Sequence, residues 1–343
     1  MADHHDDLLP VNERVTAPQP HTPTHPLIAE WRPATQADVD AVTEAQRAMD
    51  AVDHPEWLHT RDEVQELFDY SFVELAEDTL LGFGKDGALV AVGVTTMPPL
   101  QESLVRVFLE GGVHPELRGR GIGRELLAWS RARAEQKLAA SEKRLPAWIM
   151  AYADERAEDA ARLFHRDGFE TARYFFELER DLADAIPEVE PSDGIRIVPF
   201  REELTAATLV AHNDSFRDHW SSQPMSEEQW TAWIGGTFRP DISFLALDGD
   251  EVVGFVLNQV NEGDWETQGF TGAYIGMVGT IRSARGKRIA PALLGRAMEA
   301  CKALGWEKVT LSVDAENPSG ALGLYTGMGF VRTNAELSLV RVY

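Results

Sequence analysis

Two stretches of the sequence combine arginine and glycine in a way that could bind an anion. They read VHPELRGRGIGRELL, at residues 113–127, and TIRSARGKRIAPALL, at residues 280–294. Each reads as a turn that opens an amphipathic helix, and the first turn of a helix presents unpaired N–H groups and partial positive charge. Glycine lets the backbone approach a ligand closely. Both turns are therefore candidate sites for a pyrophosphate group.

The two turns differ at one central position, where Arg288 stands in place of Gly121. Arginine adopts a positive φ less readily than glycine. If this position is helical or extended, Arg288 is tolerated and, with Lys287, adds positive charge beside the phosphates. On the turn alone the first stretch is the better anion site, and a tight strand-to-helix turn without a ligand is the alternative. The first turn has three further cations: Arg118, Arg120 and Arg124.

The elements around the two turns recur in the same order. Each half begins with a short strand and a polar helical stretch. An apolar hairpin follows at residues 80–94 and 244–260, each with Asp and Gly between apolar runs, which is a hairpin signal. After each turn come a helix, a strand, a second helix that ends in Gly-Phe, and apolar strands. The chain is therefore an internal repeat.

The spacing of equivalent residues supports the repeat. Arg285 follows Arg118 by 167 residues, and Phe330 follows Phe169 by 161. A drift of six residues is an ordinary difference in loop length. The acidic segment 181–194 carries two prolines and reads as a linker between the copies.

Composition limits the class of protein. At 343 residues, 44% hydrophobic and 26% charged, the chain suits two globular domains, and no apolar run is long enough to span a membrane. A net charge of −24, with 56 acidic and 32 basic residues, argues against nonspecific nucleic-acid binding. The same charge would attract cationic amines or serve solubility alone.

One cysteine, Cys301, excludes an internal disulfide and fits a reducing cytoplasm. It belongs to a helical stripe of the second copy, which predicts core packing rather than nucleophilic chemistry, with Gly305 as the stop of that helix. The other members of the stripe are Leu293, Leu294, Ala297, Met298 and Leu304.

Residues 1–27 are polar and proline-rich without a signal-peptide pattern, which predicts a disordered tail. Four of them could hold a metal, but a solvated charge run is favoured, so no metal site is predicted. They are His4, His5, Asp6 and Asp7.

The spacing Arg-x-x-Gly-x-Gly after a strand resembles the acyl-CoA pyrophosphate loop of the GNAT N-acetyltransferase superfamily. The stretch VTLSVDAENPSGALGLYTGMGF, residues 309–330, resembles that family's next strand and helix, with Asn317, Tyr325 and Phe330 at the expected places. Two tandem copies resemble the mycothiol synthase group of actinobacteria. The resemblance covers about residues 28–343.

The resemblance implies two α/β domains, each with a mixed, largely antiparallel sheet flanked by helices. The expected N-terminal domain spans residues 28–182, the linker 183–193 and the C-terminal domain 194–343. The implied activity is acetyl-CoA-dependent N-acetylation of a small-molecule primary amine by direct transfer in a ternary complex. A cytoplasmic monomer or homodimer is expected, with no nucleic-acid or membrane partner.

The resemblance also implies which residues contact acetyl-CoA. The strand before the second turn splays from its neighbour, so that Val278, Gly279 and Thr280 pair with the pantetheine arm and polarise the thioester carbonyl. Asn317, before Pro318, is equally suited to cap a helix. The remaining contacts of the second copy are Arg285, Gly286, Lys287, Arg288, Ile289, Ala290 and Asn317. Those of the first copy are Val113, Arg118, Gly119, Arg120, Gly121, Ile122, Gly123 and Arg124.

By the same resemblance, Tyr325 is the general acid that protonates the departing CoA thiolate, since a phenol of pKa ~10 can donate to a thiolate of pKa ~8.5 or above. Packing under the sheet is its alternative. Aligning Phe169 with Phe330 places Phe164 opposite Tyr325 and Arg156 opposite Asn317. Because phenylalanine has no proton to give, the C-terminal copy is expected to be catalytic and the N-terminal copy a scaffold, with acetyl-CoA binding there left open.

The general base is not identified by the sequence. The glutamate of the mycothiol group would fall at Tyr274, which is not a carboxylate. His219 and Trp220 lie at a helix break in an aromatic segment, residues 211–234, and with Tyr274 are expected substrate contacts. Two alternatives remain open: an acyl-CoA-binding regulator without turnover, and catalysis in the N-terminal copy with Glu110 or water as base. The base candidates of the second copy are Glu266, Asp214, His212 and His219.

Overall fold

The computed structural model describes residues 8–317 and 320–343. The chain divides into two compact units. The first unit comprises the described residues up to Ala172 together with Leu337–Tyr343, and the second comprises Arg173–Glu336.

The first unit is a sheet with helices on its faces, and the sheet consists of five strands from the N-terminal half together with the C-terminal part of β12 (Val331–Val342), which lies next to β5. The five strands follow the order β1-β2-β3-β4-β5, and only the β4–β5 pair is parallel. Tyr343, from the C-terminal segment of this unit, donates its N–H to Ala147 of β5 at 2.9 Å. The elements are α1 (Val11–Arg14), β1 (Ile28–Arg32), α2 (Val39–Asp53), α3 (Arg61–Asp69), α4 (Leu75–Asp78), β2 (Thr79–Gly84), β3 (Leu89–Thr96), β4 (Val105–Val113), α5 (Ile122–Ala139), β5 (Ala147–Asp154) and α6 (Glu158–Arg166).

The second unit has the same arrangement of strands and helices, with β6 next to β11. Its order is β6-β11-β10-β9-β8-β7, and only the β10–β11 pair is parallel. The elements are β6 (Glu170–Asp181), β7 (Ile195–Pro199), α7 (Thr205–Ser215), α8 (Glu227–Trp233), β8 (Phe244–Asp248), β9 (Glu251–Gln259), α9 (Trp265–Gln268), β10 (Gly272–Thr280), α10 (Ile289–Ala303), β11 (Lys308–Asp314), α11 (Ala321–Gly327) and β12 (Val331–Val342). The predicted α/β class, with mixed and largely antiparallel sheets, is confirmed in each unit.

The compact units do not follow the expected domain boundaries. Residues 173–182 belong to the second unit, because β6 pairs with β11 from Asp181 opposite Lys308 to Phe175 opposite Asp314. Leu337–Tyr343 belongs to the first unit, where Leu337 and Leu339 are buried in its core. An apolar strand pattern shows that a strand exists but does not identify its partner.

The prediction of a disordered tail is wrong for residues 8–27. Val11 is 0% exposed and packs with Leu138 in the first unit's core, and its N–H donates to the carbonyl of Lys143 at 3.0 Å. Arg14 donates to the carbonyls of Leu145 and Tyr343. Val11, Val15 and Arg14 thus anchor this segment. Its polar average composition does not indicate these contacts. The metal candidates His4, His5, Asp6 and Asp7 lie outside the described residues.

The expected linker also packs on a core. Ile186 and Val189 contact the apolar core of the second unit, so residues 183–193 are part of that unit rather than a free spacer. In α10, Gly305 follows the helix with φ 81°, as predicted for its stop. Leu304 is 49% exposed, contrary to its expected place in the stripe, because it lies at the C-cap beyond the last turn. Cys301 is fully buried, burial raises its pKa to about 12, and its predicted core role is confirmed.

Candidate active site

The two arginine–glycine turns have the same backbone. Gly119 and Gly286 have φ of 73° and 79°, and Gly121 and Arg288, the N-cap residues of α5 and α10, have φ of 97° and 57°. The backbone at Arg288 is therefore left-handed rather than helical or extended. Arg288 is thus strained, because only a helical or extended backbone would tolerate arginine there without cost. A non-glycine residue in this region costs on the order of 1 kcal/mol.

The turns leave room for an anion. Neither Gly121 nor Arg288 makes a side-chain capping hydrogen bond, so no side chain occupies the N-cap role within the described part of the chain. A Cβ built on Gly119 or Gly286 would meet no atom within 4 Å. Backbone N–H groups at the starts of two long helices are thus accessible, which fits the pyrophosphate of a CoA thioester.

The first arginine of each turn braces the loop from behind. Arg118 donates to the carbonyl of Val113 at 3.0 Å and makes two hydrogen bonds to Asp53 at 2.5 and 2.7 Å. Arg285 donates to the carbonyl of Ser215 at 3.1 Å and reaches Asp218 at 3.4 Å. Both guanidiniums are engaged by protein acceptors, so a direct phosphate contact by either remains a prediction. Lys287 lies 3.2 Å from Asp248, and Arg120, Arg124 and Arg288 are exposed.

A second brace closes each turn from the segment that precedes β1 in the first unit and β7 in the second. The Nε2 of His25 donates to the carbonyl of Arg120 at 3.0 Å, while its Nδ1 accepts from Leu27. In the second unit the N–H of Ser192 donates to the carbonyl of Lys287 at 3.0 Å. Because Ser192 follows His25 by the same 167 residues as the turns, the duplication extends beyond the expected start at residue 28.

Next to each turn, two parallel strands separate. Pairing of β4 with β5 ends at Phe108 opposite Met150, and pairing of β10 with β11 ends at Tyr274 opposite Thr310. Ile289 and Ala290 begin α10, as Ile122, Gly123 and Arg124 begin α5. The further residues of β4 and β10 keep only their antiparallel neighbours, so alternate backbone groups face the opening. The expected pantetheine contacts Val278, Gly279 and Thr280 lie on this part of β10.

Two glycines of β10 are required by packing. The register of β10 against β9 shifts between Ile275 and Met277, which places a bulge at Gly276. A Cβ on Gly279 would lie 2.2 Å from Cζ of Phe255, a fully buried ring. Gly279 is therefore needed for the close packing of β10 against this phenylalanine.

Tyr325 lies on α11 with 8% of its surface exposed. Its ring contacts Phe330 edge-on at 5.8 Å, and Phe164 contacts Phe169 in the same way at 5.1 Å. The N–H groups of Phe330 and Phe169 donate to the carbonyls of Tyr325 and Phe164, respectively. Phe164 is thus the structural counterpart of Tyr325. Burial raises the pKa of Tyr325 to about 12, so the phenol carries a proton at neutral pH.

The expected roles of Asn317 and Arg156 need correction. The N–H of Asn317 donates to Asp314 as that of Ala157 donates to Asp154, so Ala157, not Arg156, is opposite Asn317. The helix α11 begins only at Ala321 after the left-handed Gly320, so Asn317 does not cap it. The segment between the end of β11 and the start of α11 is longer than the segment between β5 and α6, and this accounts for both differences.

Tyr274 faces a set of acidic groups that the sequence did not reveal. Burial, together with the negative charges of Glu177 and Glu336, raises its pKa well above the ordinary value, and Tyr325 also contributes. In the strand register, Tyr274 pairs with Thr310 and Glu177 pairs with Ser312. Opposed residues share a face and faces alternate along a strand, so both side chains lie on the same face beside the opening. Glu177 and Glu336 were missed because β6 and β12 are remote in sequence from Tyr274.

Most base candidates named from the sequence have other roles. His212 is 6% exposed and stacks on Phe216 at 4.6 Å, and burial lowers its pKa. Asp214 accepts the N–H of Arg282 at 3.0 Å, and Glu266 is exposed on the short α9. These contacts place His212 in the core and Asp214 in the support of the turn.

His219 and Trp220 lie at the helix break, as predicted. Burial, followed by the charge of Arg285, lowers the pKa of His219, which faces the carboxylate of Asp314. The ring of Trp220 lies 6.4 Å from Phe175, and the Arg173 guanidinium lies 5.5 Å above it. Phe175 and Glu177 share a face of β6. The structure thus brings Trp220, Glu177 and Tyr274 to one side of the sheet.

Comparisons with known proteins agree with this geometry. An acetyltransferase (GNAT) domain model matches residues 77–171, and an acetyltransferase (GNAT) family model matches residues 206–330. The chain belongs to the GNAT acetyltransferase family. It is an N-acetyltransferase built from two tandem GNAT domains, and acetyl-CoA is its acyl donor.

The relatives of this GNAT protein include proteins named mycothiol acetyltransferase. The one from Thermobispora bispora is 30% identical, over 66% of this chain and 72% of the relative. That from Nocardioides sp. is 27% identical, over 65% and 76%. Two solved structures share the fold. A GCN5-related N-acetyltransferase from Sphaerobacter thermophilus has a TM-score of 0.66, 25% identity, and coverage of 91% of this chain and 95% of its own. A tandem GNAT protein from the clavulanic acid biosynthesis pathway has a TM-score of 0.67, 17% identity, and coverage of 91% and 98%.

Two features are absent from the described part of the GNAT chain. Within residues 8–317 and 320–343, no helix has the length and apolar character needed to cross a bilayer. The same residues contain no group of three or more metal-ligating side chains.

Proposed function

We propose that the second unit transfers the acetyl group to a small primary amine and that Tyr325 is its general acid. The observation that carries the proposal is the buried phenol of Tyr325, electrostatically coupled to Tyr274 where β10 and β11 separate. A protonated phenol at this place can give its proton to a leaving thiolate. Phe164 at the equivalent place in the first unit cannot.

The surroundings favour a cationic acceptor. Glu177, Glu336 and Asp314 bring negative charge to this part of the second unit, and such charge raises the local concentration of cations. The ring of Trp220 already attracts the Arg173 guanidinium, as aromatic faces attract ammonium groups. An amine that arrives protonated is therefore the acceptor that best fits the site.

A protonated amine must lose a proton before it can attack, and we assign this step to Glu177. Its place beside Tyr274, across the strand opening, supports the assignment. The protonated amine first gives one proton to the carboxylate, which passes it to solvent. The neutral nitrogen then forms the new bond to the acetyl carbon and gives its second proton to Glu177. The carbon–sulfur bond breaks, the sulfur takes the proton of Tyr325, and the proton held by Glu177 returns to Tyr325 through solvent. The products are an amide and free CoA.

The acceptor within this class is a separate question. Because relatives are named mycothiol acetyltransferase, the amine whose acetylation yields mycothiol belongs in any substrate panel. Tyr274 replaces the expected carboxylate, and Glu177 approaches from a different strand. We therefore expect other small amines to compete with that substrate. We also expect a monomer or homodimer in the reducing cytoplasm, since every assigned group lies on one chain.

The test is release of free CoA thiol across a panel of amines with acetyl-CoA. Tyr325→Phe should lower kcat by about 100-fold or more with little change in KM, which is the range for loss of a general acid. Tyr174→Phe, which alters an exposed tyrosine of the same unit, is the matched control. An unchanged rate in Tyr325→Phe would contradict the assignment of the acid.

The base is tested separately. Glu177→Gln should lower kcat by about 100-fold, whereas Glu299→Gln, on the exposed side of α10, should leave it unchanged. If Glu177→Gln raises KM alone, the carboxylate binds the amine without taking its proton.

A further inference from the structure

The first unit contains a group of titratable side chains that the proposed reaction does not use. His59 donates to Asp50 from its backbone N–H at 2.8 Å and from Nδ1 at 2.9 Å. Asp50 is buried. Glu110, on β4, accepts a hydrogen bond from the Thr96 hydroxyl at 3.0 Å and is electrostatically coupled to His59. These groups link the loop after α2 to the strand beside the opening.

Glu110 lies where β4 and β5 separate. Pairing ends at Phe108 opposite Met150, so Glu110 and Tyr152 are each two residues further along and share one face. The Tyr152 ring stacks on Phe108 at 6.3 Å and is 41% exposed. A carboxylate and a phenol thus flank the opening of the first unit, as Glu177 and Tyr325 flank that of the second.

The electrostatics differ from those of a surface cluster. Burial raises the pKa of Glu110, while Thr96 and His59 oppose the shift. Burial is the largest influence on His59 and lowers its pKa, but the hydrogen bond to Asp50 and the negative charges of Asp50, Glu63 and Glu110 together raise the net pKa. Glu110 is nevertheless exposed to solvent. A carboxylate that is exposed beside the strand opening can exchange protons with a ligand there.

The turn of the first unit is also the less strained of the two. Gly121 adopts its left-handed conformation without a side chain, and Gly119 borders open space. This backbone fits a CoA pyrophosphate at least as well as the turn with Arg288. The first unit therefore combines a place for the acyl donor with a carboxylate beside it.

We propose that the first unit is a second acetyl-transfer site, in which Glu110 is the general base and Tyr152 the general acid. His59, which is held by Asp50, favours the charged form of Glu110 through their electrostatic coupling. The amine nitrogen gives a proton to Glu110 and bonds to the acetyl carbon. The carbon–sulfur bond breaks, and the sulfur takes the proton of Tyr152. Solvent returns the proton from Glu110 to Tyr152, so that an amide and free CoA leave.

The experiment isolates this site in the full chain that carries Tyr325→Phe. Free CoA thiol is measured over the amine panel for this variant, for the variant with added Glu110→Gln, and for the variant with added Glu142→Gln, an exposed control. Residual turnover should persist in Tyr325→Phe alone. It should fall at least tenfold when Glu110→Gln is added and remain unchanged when Glu142→Gln is added. Tyr152→Phe should lower it similarly.

A second measurement does not depend on turnover. Calorimetric titration with CoA should show two sites per chain, of which Gly121→Asp removes one and Arg288→Asp the other. Glu110→Gln should keep both sites, which shows that the unit is folded. One site that is insensitive to Gly121→Asp would overturn the proposal, as would no turnover across the panel in Tyr325→Phe.

The outcomes separate the two proposals. Loss of all turnover in Tyr325→Phe overturns the proposed site in the first unit and leaves the assignment of Tyr325 in the second unit intact. Full turnover in Tyr325→Phe, lost on adding Glu110→Gln, supports the first-unit site and contradicts the assignment of the acid in the second unit.

Discussion

The two units keep the same turn but differ in what surrounds it. The first has glycine at the N-cap, Glu110 on the strand and Phe164 on the following helix. The second has Arg288 at the N-cap, Tyr274 on the strand where a carboxylate was expected, and Tyr325 on the helix. The two units therefore differ in which of the expected parts of an acetyl-transfer site they carry. Comparison of the turns alone does not reveal this difference.

The largest expected difference between the copies concerns equivalent strand glycines. Gly279→Ala would place a Cβ 2.2 Å from the buried ring of Phe255, whereas Gly112→Ala would meet only the flexible Met49 thioether at 2.9 Å. We expect Gly279→Ala to lower the free energy of unfolding by about 3 kcal/mol, and Gly112→Ala by about 1 kcal/mol or less. Urea denaturation measures both. Equal effects would show that Phe255 yields as easily as Met49.

A smaller difference concerns the braces behind the turns. Asp53→Asn removes the negative charge and one of the two acceptors of the short, partly buried bonds from Arg118, and should cost about 2 kcal/mol. Asp218→Asn alters an exposed contact with Arg285 and should change stability by about 0.5 kcal/mol or less. The measurement is the midpoint of thermal unfolding for each variant, together with CoA affinity. A large loss in Asp218→Asn would mean that the second turn depends on its brace as strongly as the first.

The N-cap residues can be exchanged between the copies. Arg288→Gly relieves a positive φ and should raise stability by about 1 kcal/mol, while Gly121→Arg should lower it by a similar amount. Arg288→Gly also removes a cation and should weaken CoA binding several-fold by titration. If Arg288→Gly strengthens CoA binding instead, backbone strain matters more than charge.

The smallest expected effect is an opposite pH dependence of the two units. The pKa of His59 is raised from 6.5, so its contribution is present below pH 6.5 and is lost as the pH rises through the folded value. Burial lowers the pKa of His212 from 6.5, so its contribution is present above pH 6.5 and is lost as the pH falls. Unfolding followed from pH 5 to 8 should separate the two dependences. His59→Gln and His212→Gln should each abolish one of them, and a dependence that survives its variant would assign it elsewhere.

Local features of the fold were predictable from the sequence. The hairpins, the two turns and the helix stop at Gly305 depend on glycine and on apolar alternation within a few residues. The equivalence of Phe164 and Tyr325 followed from the Gly-Phe that ends both helices and is confirmed by matching contacts. Short-range patterns of this kind survive duplication.

Features that depend on distant partners were not predictable. Glu177 and Glu336 reach the Tyr274 region only because β6 and β12 are placed there by strand pairing and chain reversal. The left-handed conformation of Arg288 is imposed by the loop against its own propensity. His59 gained its partner through the fold of the loop after α2 rather than through a motif.

The assignment of Leu337–Tyr343 to the first unit has a consequence for biosynthesis. That unit receives Leu337 and Leu339 in its core, and Tyr343 donates to Ala147. A nascent chain that has emerged only as far as Ala172 thus lacks part of the sheet and core of its first unit. The first unit can complete its sheet and core only after residues 337–343 have been translated, which is later than the whole of Arg173–Glu336.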